Sequence, residues 1–392
     1  MQEREQMLYR VPDYYKQFAC LADECPDTCC AGWEIEIDER SLIRYVKYQN
    51  EGQPFGSRLF HGVDWKNGTF LQDQNNRCEF LNDRNLCDIY SEAGKKMLCR
   101  TCKTYPRHIE EFENIREITL ALSCPEAARI IIEKQGRVTF EEKTGKKPTE
   151  TFDEFDEQLY KQLVKARDYL IEIIQNRNIP LSYRLAKILM YAHDFQMCIK
   201  KGELKQQQRI MERHQTRGFG SHFEDCLNRL EDPKCSTFLL LQEIWALLRK
   251  EMEVLRDTWP SYLDESIALL YGSGEEAYLL HKAEFTAGYP EWEIECEQLM
   301  VCWIYTYFTG AVYSGNAFAK IKLAVVSTVL IRELDIAKYI EKAGNFTKED
   351  QIKICVGYSR EAEHSDNNLL ALERVFRKNQ LFGLKNLLKI VG

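Results

Sequence analysis

The sequence predicts a mainly α-helical protein. An irregular, cysteine-rich N-terminal module (residues 1–134) is followed by a linker (135–149) and an all-α helical domain (150–392). Three observations predict this. Cysteines crowd into the first third, apolar residues recur at three- and four-residue spacings through the rest, and no strand–glycine-loop–helix alternation appears. At 392 residues the chain exceeds the roughly 250–300 that one core usually holds, so a division is expected. Apolar residues make up 44% of the chain and charged residues 29%, enough apolar surface to offset the entropy of folding.

In the N-terminal module the cysteines come first. Nine of the fifteen (Cys20, Cys25, Cys29, Cys30, Cys78, Cys87, Cys99, Cys102 and Cys124) precede residue 125. The other six, Cys198, Cys226, Cys235, Cys296, Cys302 and Cys355, have no repeated short spacing and read as small buried apolar residues. Elements around the first nine look short, with turn signals at Asp27, Gly32, Asn67-Gly68 and Asn82-Asp83. Trp33 to Ile37 and Ile115 to Leu122 read as strands or short helices. Gly136, Lys143, Gly145, Lys146, Lys147 and Pro148 mark the basic linker.

The helical domain follows from periodicity. Phe152, Phe155, Leu159, Leu163, Ala166, Leu170 and Ile173 share one helix face. Similar stripes fill Leu181 to Tyr191, Phe238 to Leu255, Leu299 to Phe308, Ala317 to Ile340 and Leu369 to Phe376. Breakers such as Pro180, Gly202, Gly218, Gly220, Pro260, Gly272, Gly274, Pro290, Gly315 and Gly344 separate them. Leu323 to Ile331 falls short of the roughly 20 apolar residues a bilayer requires and reads as a buried helix.

A net charge of -8 argues against a nucleic-acid partner. The polar start, Met1 to Arg10, lacks a secretory leader, so the expectation is a cytoplasmic protein without a membrane partner. In a reducing compartment, clustered thiols point to metal rather than to disulfides. Cys20-x4-Cys25-x3-Cys29-Cys30, the Cys99-x2-Cys102 pair and Cys124-Pro125 together supply a soft, all-thiol donor set. An iron–sulfur cluster, 4Fe–4S in type, is the first expectation, zinc the alternative, and an unmetallated or disulfide state the third. His61 and His108 lack a paired-ligand spacing with the cysteines. Lys103 stands where c-type haem attachment would need a histidine after Cys102, and Cys30 directly follows Cys29, which breaks a C-x3-C-x2-C radical signature. Arg100, Lys103 and Arg107 either balance a cluster's charge or form a solvated basic face.

These residues carry a resemblance. The run Cys20 to Asp38 reads C-x4-C-x-D-T-C-C-x-G-W-x-I-x-I-D. With Tyr14-Tyr15, Cys78-Glu-Phe-Leu, Leu86-Cys87-x-Ile-Tyr90, Leu98-Cys99-x2-Cys102-Lys-x-Tyr-Pro-Arg107 and Ser123-Cys124-Pro-Glu126, it resembles the flagellin lysine-N-methylase family. Ser359-Arg360-x2-Glu363-His364-Ser365-x2-Asn368 resembles that family's C-terminal signature. Its cysteine part is also similar to a broader group of zinc- or iron-chelating proteins. The resemblance implies an S-adenosylmethionine-dependent enzyme that methylates lysines of flagellin and carries a cysteine-bound iron–sulfur cluster. Gly218-x-Gly220 and Gly272-x-Gly274 read as turns between helices, so the methyl donor's site is not located.

Methyl transfer to a lysine needs a deprotonated amine. Arg360, Glu363, His364 and Asn368 fall on one helix face, and His364, Glu363 and Arg360 are the candidate catalytic residues: His364 to accept the proton, Glu363 to orient it or the substrate. An interhelical polar network is the competing reading. Tyr305, Tyr307, Phe308 and Tyr313 read as a core stripe or as the lining of a lysine channel. Two other functions compete: a metal-binding protein that docks a client through its helices, and a thiol oxidoreductase acting through Cys99 and Cys102.

Overall fold

The computed structural model describes residues 6–145, 155–216 and 236–392. Cys226, Cys235, Phe152, Gly218, Gly220 and the end of the proposed linker lie outside the described residues. The protein is mainly α-helical. One feature was not expected from the periodicity: a four-stranded sheet made of β1 (Met7–Pro12), β2 (Arg107–Phe112), β3 (Ile115–Leu120) and β4 (Phe140–Gly145). Its order is β2-β3-β1-β4, with β1 parallel to β3 and the other neighbours antiparallel. β4 occupies part of the stretch read as linker. Its residues, Phe-Glu-Glu-Lys-Thr-Gly, are polar because it is an edge strand with solvent on one side.

Between β1 and β2 lies the cysteine module. It contains α1 (Glu39–Asn50), short helical turns at Gly56–His61 and Asp88–Ala93, and α2 (Arg100–Thr104). Trp33 to Ile37 is irregular, touching Thr69 through a bridge at Glu36. After β3 come α3 (Pro125–Ile132) and then the long helices α4 (Glu157–Ile174), α5 (Leu181–Lys201), α6 (Thr237–Glu251), α7 (Trp259–Tyr271), α8 (Glu275–Gly288), α9 (Trp292–Tyr307), α10 (Ala317–Glu341), α11 (Lys348–Glu363), α12 (Asp366–Lys378) and α13 (Leu384–Val391). The predicted stripes coincide with α4, α5, α6, α9, α10 and α12.

α10 is the axis of the domain. It is buried almost all round, including Leu323 to Ile331, and packs against α5, α9, α7, α11 and α12. No helix among the described residues is long and apolar enough to cross a membrane. Cys198, Cys296, Cys302 and Cys355 are buried on α5, α9 and α11.

Two cores result. The larger joins the helices to Tyr14, Phe112, Leu120, Leu122, Cys124, Ala127 and Val138, so the sheet and α3 share the helical domain's interior. The smaller, built from Ile35, Tyr45, Leu59, Phe70, Phe80, Ile89 and their neighbours, lies within the cysteine module.

A buried ion pair fastens the sheet to the helices. Glu117 on β3 accepts from Arg167 on α4 at 2.5 Å and from Thr309 at 3.1 Å, with Arg10 of β1 at 3.4 Å. Both Arg167 and Glu117 are almost wholly buried. Breaking such a pair leaves one charge uncompensated in a low dielectric. Glu117→Ala is therefore expected to lower stability by about 3–5 kcal/mol, read from the midpoint of urea denaturation.

Candidate metal centre

Five thiols gather around the smaller core. Cys78 and Cys99 are part of it, and Cys30, Cys87 and Cys102 pack against it. Backbone pairing brings their segments together: the Cys78 N–H donates to the Cys30 carbonyl at 2.8 Å, and Leu81 bridges Cys87. Asp38 caps α1 through the Ser41 N–H at 3.0 Å and also accepts from the Arg100 N–H at 2.7 Å, which sets α2 beside α1. Cys99 is the N-cap of α2, its sulfur accepting from the Cys102 N–H at 3.5 Å.

Four thiols gather on the other side. Cys124 is the N-cap of α3, with Pro125 at the first helical position where no N–H is needed. The Cys25 thiol donates to the Asp27 carbonyl at 3.4 Å. The Cys29 and Cys124 sulfurs are within electrostatic reach of one another, as are those of Cys25 and Cys29, while Cys20 is exposed and near Cys25. The two groups meet at the consecutive residues Cys29 and Cys30.

The end of α11 clasps this arrangement. Arg360 donates to the Asp27 carboxylate at 2.7 Å, the Asp27 carbonyl at 2.9 Å and the Ser123 carbonyl at 3.1 Å. One buried guanidinium thus ties the loop between Cys25 and Cys29 to the residue before Cys124. Arg256 reinforces the junction. It donates to Glu361 at 2.7 Å and to the Gly357 carbonyl at 2.9 Å. Its aliphatic stem lies 3.5 Å from where a Cβ on Gly32 would sit; Gly32 has φ +83°. Asn368 links the same turn to residue 253, accepting from the Glu253 N–H at 2.8 Å and donating to the Glu361 carbonyl at 2.7 Å.

His364 and Glu363 diverge. The His364 ring lies 4.4 Å from Trp33 and 5.9 Å from Tyr105. Trp33 donates to the Cys29 carbonyl at 2.8 Å, and the Tyr105 hydroxyl is 3.2 Å from that of Ser123. Both ring nitrogens of His364 are buried without a hydrogen-bond partner in the structure. Burial, helped by Arg360 and Arg256, pulls its pKa down to about 3. Glu363 points elsewhere: it accepts from the Tyr307 hydroxyl at 2.6 Å and from Ser359. Burial pushes it up to about 7, against the opposing pull of Tyr307 and His108. Tyr307 also lines a cavity of about 290 Å³ with Ala319, Leu323, Leu369, Asp366 and Glu373. Tyr305 is a core residue bonded to the Arg10 carbonyl, and Tyr313 is partly exposed.

The donor set can be tested against a metal. Burial pushes the Cys78 and Cys124 thiols up to about 12 and raises Cys87, although backbone N–H groups just after each cysteine, opening a helix at Cys87 and Cys124, favour the thiolates. Only a cation among them would reverse that balance. Among the described residues, no three Cys, His, Asp or Glu side chains converge closely enough for a single metal ion. A lone zinc ion with Zn–S bonds of about 2.3 Å would draw its sulfurs to about 3.8 Å from one another. An iron–sulfur cluster spaces them more widely, since each thiolate binds a different iron. All thirteen described cysteines are free thiols. The all-thiol donor set is of the chemical type that suits an iron–sulfur cluster or zinc, and the two orphaned nitrogens of His364 lie beside its segments.

Sequence reasoning singled out the nine cysteines and the Arg360 turn but not their connection. Asp27, Trp33, Tyr105, Arg256 and Glu361 were missed as members. The local signal available was Asp27 itself, an acidic residue placed inside the Cys25–Cys29 loop.

Comparisons follow the same division. The family model described as the FliB lysine N-methylase C-terminal domain matches residues 167–390, which include Arg360, Glu363 and His364 but none of the nine cysteines. Lysine-N-methylases of Salmonella choleraesuis (strain SC-B67) and Salmonella typhimurium (strain LT2) are each 27% identical over 243 residues, 59% of this chain. The match covers 59% of the length of each of these relatives. The flagellar biosynthetic protein FliU of Salmonella muenchen is 24% identical over 144 residues, 34% of this chain and 81% of its own length. No solved structure matches.

Arg360→Gln is expected to loosen one group of thiols and not the other. Iodoacetamide labelling of the metal-free protein, read by peptide mass spectrometry, should speed up about tenfold at Cys29 and Cys124 and stay unchanged at Cys78. Equal acceleration at all three would contradict the clasp.

Proposed function

The chain belongs to the family defined by the FliB lysine N-methylase C-terminal domain, and from that membership we propose that it is an S-adenosylmethionine-dependent protein-lysine N-methyltransferase acting on flagellin and carrying an iron–sulfur cluster on its N-terminal cysteines. The observation that carries this reading is the reach of Arg360, within the family-matched region, across to Asp27 and Ser123 in the cysteine segments. It makes the thiols and the matched helices parts of one site.

The methyl donor rests on the family alone. Among the described residues no glycine loop after a strand offers a Rossmann-type cradle, so no step is assigned to its binding residues. A cluster bound by the thiols would supply electron storage or, if redox-silent, a rigid cross-link among the segments that carry them.

This chain's own part is to hold a lysine side chain and take its proton. The cavity beside Tyr307 has aliphatic walls for the stem and Asp366 as a counter-charge, its other carboxylate, Glu373, being paired at 2.6 Å with Lys320, which also lines it. Glu363, set near neutrality by burial and touching Tyr307, is the proton acceptor in this reading. His364 takes a different role from the one its type invites. An imidazole with a pKa near 3 holds protons too weakly to serve as the base and stays neutral beside the cysteine segments.

Two outcomes test the proposal. Purified protein with S-adenosylmethionine and flagellin should add steps of about 14 Da to lysines, read by peptide mass spectrometry; a metal-replete preparation that adds none would refute it. The acceptor works only as a carboxylate, so the rate should rise as pH increases through about 7, the value to which burial raises Glu363. Glu363→Gln should lower the rate by about 10²–10⁴-fold and remove that limb.

A further inference from the structure

We infer that Lys320 tunes the lysine cavity: by holding Glu373 in an ion pair, it keeps that carboxylate from trapping the substrate amine as an ammonium. This rests on the reading above that the cavity beside Tyr307 receives the substrate lysine.

The cavity lies between α10 and α12. Lys320 lines it from α10, beside Ala319 and one turn before Leu323. Asp366, Leu369, Leu370 and Glu373 line it from α12, at i, i+3, i+4 and i+7 on one helix face. The Lys320 Nζ stands 2.6 Å from a Glu373 carboxylate oxygen, and the two side chains are 19% and 20% exposed. A pair this sheltered is screened less by salt and water than a surface pair.

Other charges reach the cavity from its remaining sides. Tyr307 of α9 lines it and donates to Glu363 of α11. The His108 ring of β2 lies 5.5 Å from the Tyr307 ring and pairs with Glu110 at 2.8 Å. Lys322, also on α10, is turned to the Phe376 carbonyl at 2.7 Å. Among the described residues that line the cavity, Lys320 alone is cationic.

The reaction makes two opposed demands on this site. A lysine side chain arrives as an ammonium and is drawn in by carboxylates, yet it attacks only as the free amine. In the transfer the amine lone pair forms the N–C bond as the donor's S–C bond breaks and sulfur keeps that electron pair. The amine's proton has by then passed to Glu363. Two unpaired carboxylates in one cavity would hold both the ammonium and its proton, which deepens the ground state without helping the transition state. With Glu373 committed to Lys320, Asp366 is left, and it is exposed, so water weakens its pull. The paired ammonium also sets a positive charge beside the entering one, which favours the neutral amine. Lys320 acts through Glu373 and is a positioning residue.

The test is steady-state kinetics of the full chain with S-adenosylmethionine over a range of flagellin concentrations, methylation being read by peptide mass spectrometry. Lys320→Met should lower KM and kcat together, each by about three- to tenfold, a pairing that a damaged fold does not produce. Lys320→Arg keeps the charge and should hold both within about twofold. Adding Glu373→Gln to Lys320→Met should return both values toward wild type. Glu373→Gln alone should raise KM without the fall in kcat. Helix content by circular dichroism should be unchanged in every variant. A raised KM or two unchanged constants in Lys320→Met, or no recovery in the double variant, would overturn this role and leave the methyltransferase reading standing. A wild type that methylates nothing would remove the reading itself, and the role of Lys320 with it.

Discussion

Everything at the site depends on one buried guanidinium. Arg360 sits at the end of α11, where its side chain is desolvated by the helical core, and it needs acceptors there. It finds them on the Cys25–Cys29 loop and on the residue before Cys124. The loop has no regular structure of its own, so its geometry is set by that contact more than by its backbone. The arginine and the loop therefore stabilise each other's position, and the cysteine module is docked rather than tethered.

The thiols face a conflict between charge and burial. Helix N-termini after Cys87, Cys99 and Cys124 favour thiolates, while the two cores around them favour neutral thiols. Desolvation prevails at Cys78 and Cys124, whose thiols it pushes up to about 12. Sites of this kind are poor nucleophiles and good ligand shells, because a bound cation supplies the charge that water no longer does. Cys99 and Cys102 divide: the contact with Cys102 and the N–H groups of α2 hold the Cys99 thiol below the ordinary range, while the same contact pushes Cys102 up.

Two neighbouring residues on one turn carry opposite shifts. Glu363 is pushed up and His364 down, both mainly by burial, since burial penalises whichever form is charged. Their environments differ as well: tyrosine and serine hydroxyls around the carboxylate, aromatic faces and two arginines around the imidazole. The same turn thus meets Tyr307 through Glu363 and the cysteine segments through Arg360 and His364.

The sequence by itself determined the helical stripes, because a 3.6-residue period of apolar side chains has one way to bury its face. It also determined the identity of the thiol donors and of the Arg360–Asn368 signature, which are chemical types legible without coordinates. It did not determine the sheet: β4 is largely polar and its partner β1 lies far away in the chain, while β2, also largely polar, forms a tight hairpin with β3, whose run Ile115 to Leu122 was legible only as strand or short helix. Only the tertiary structure decided that Arg360 meets Asp27 across 333 residues of chain and that Glu363 and His364 face different surroundings. Contacts of that kind arise from how whole helices pack, and the desolvation that sets the pKa values exists only once they have.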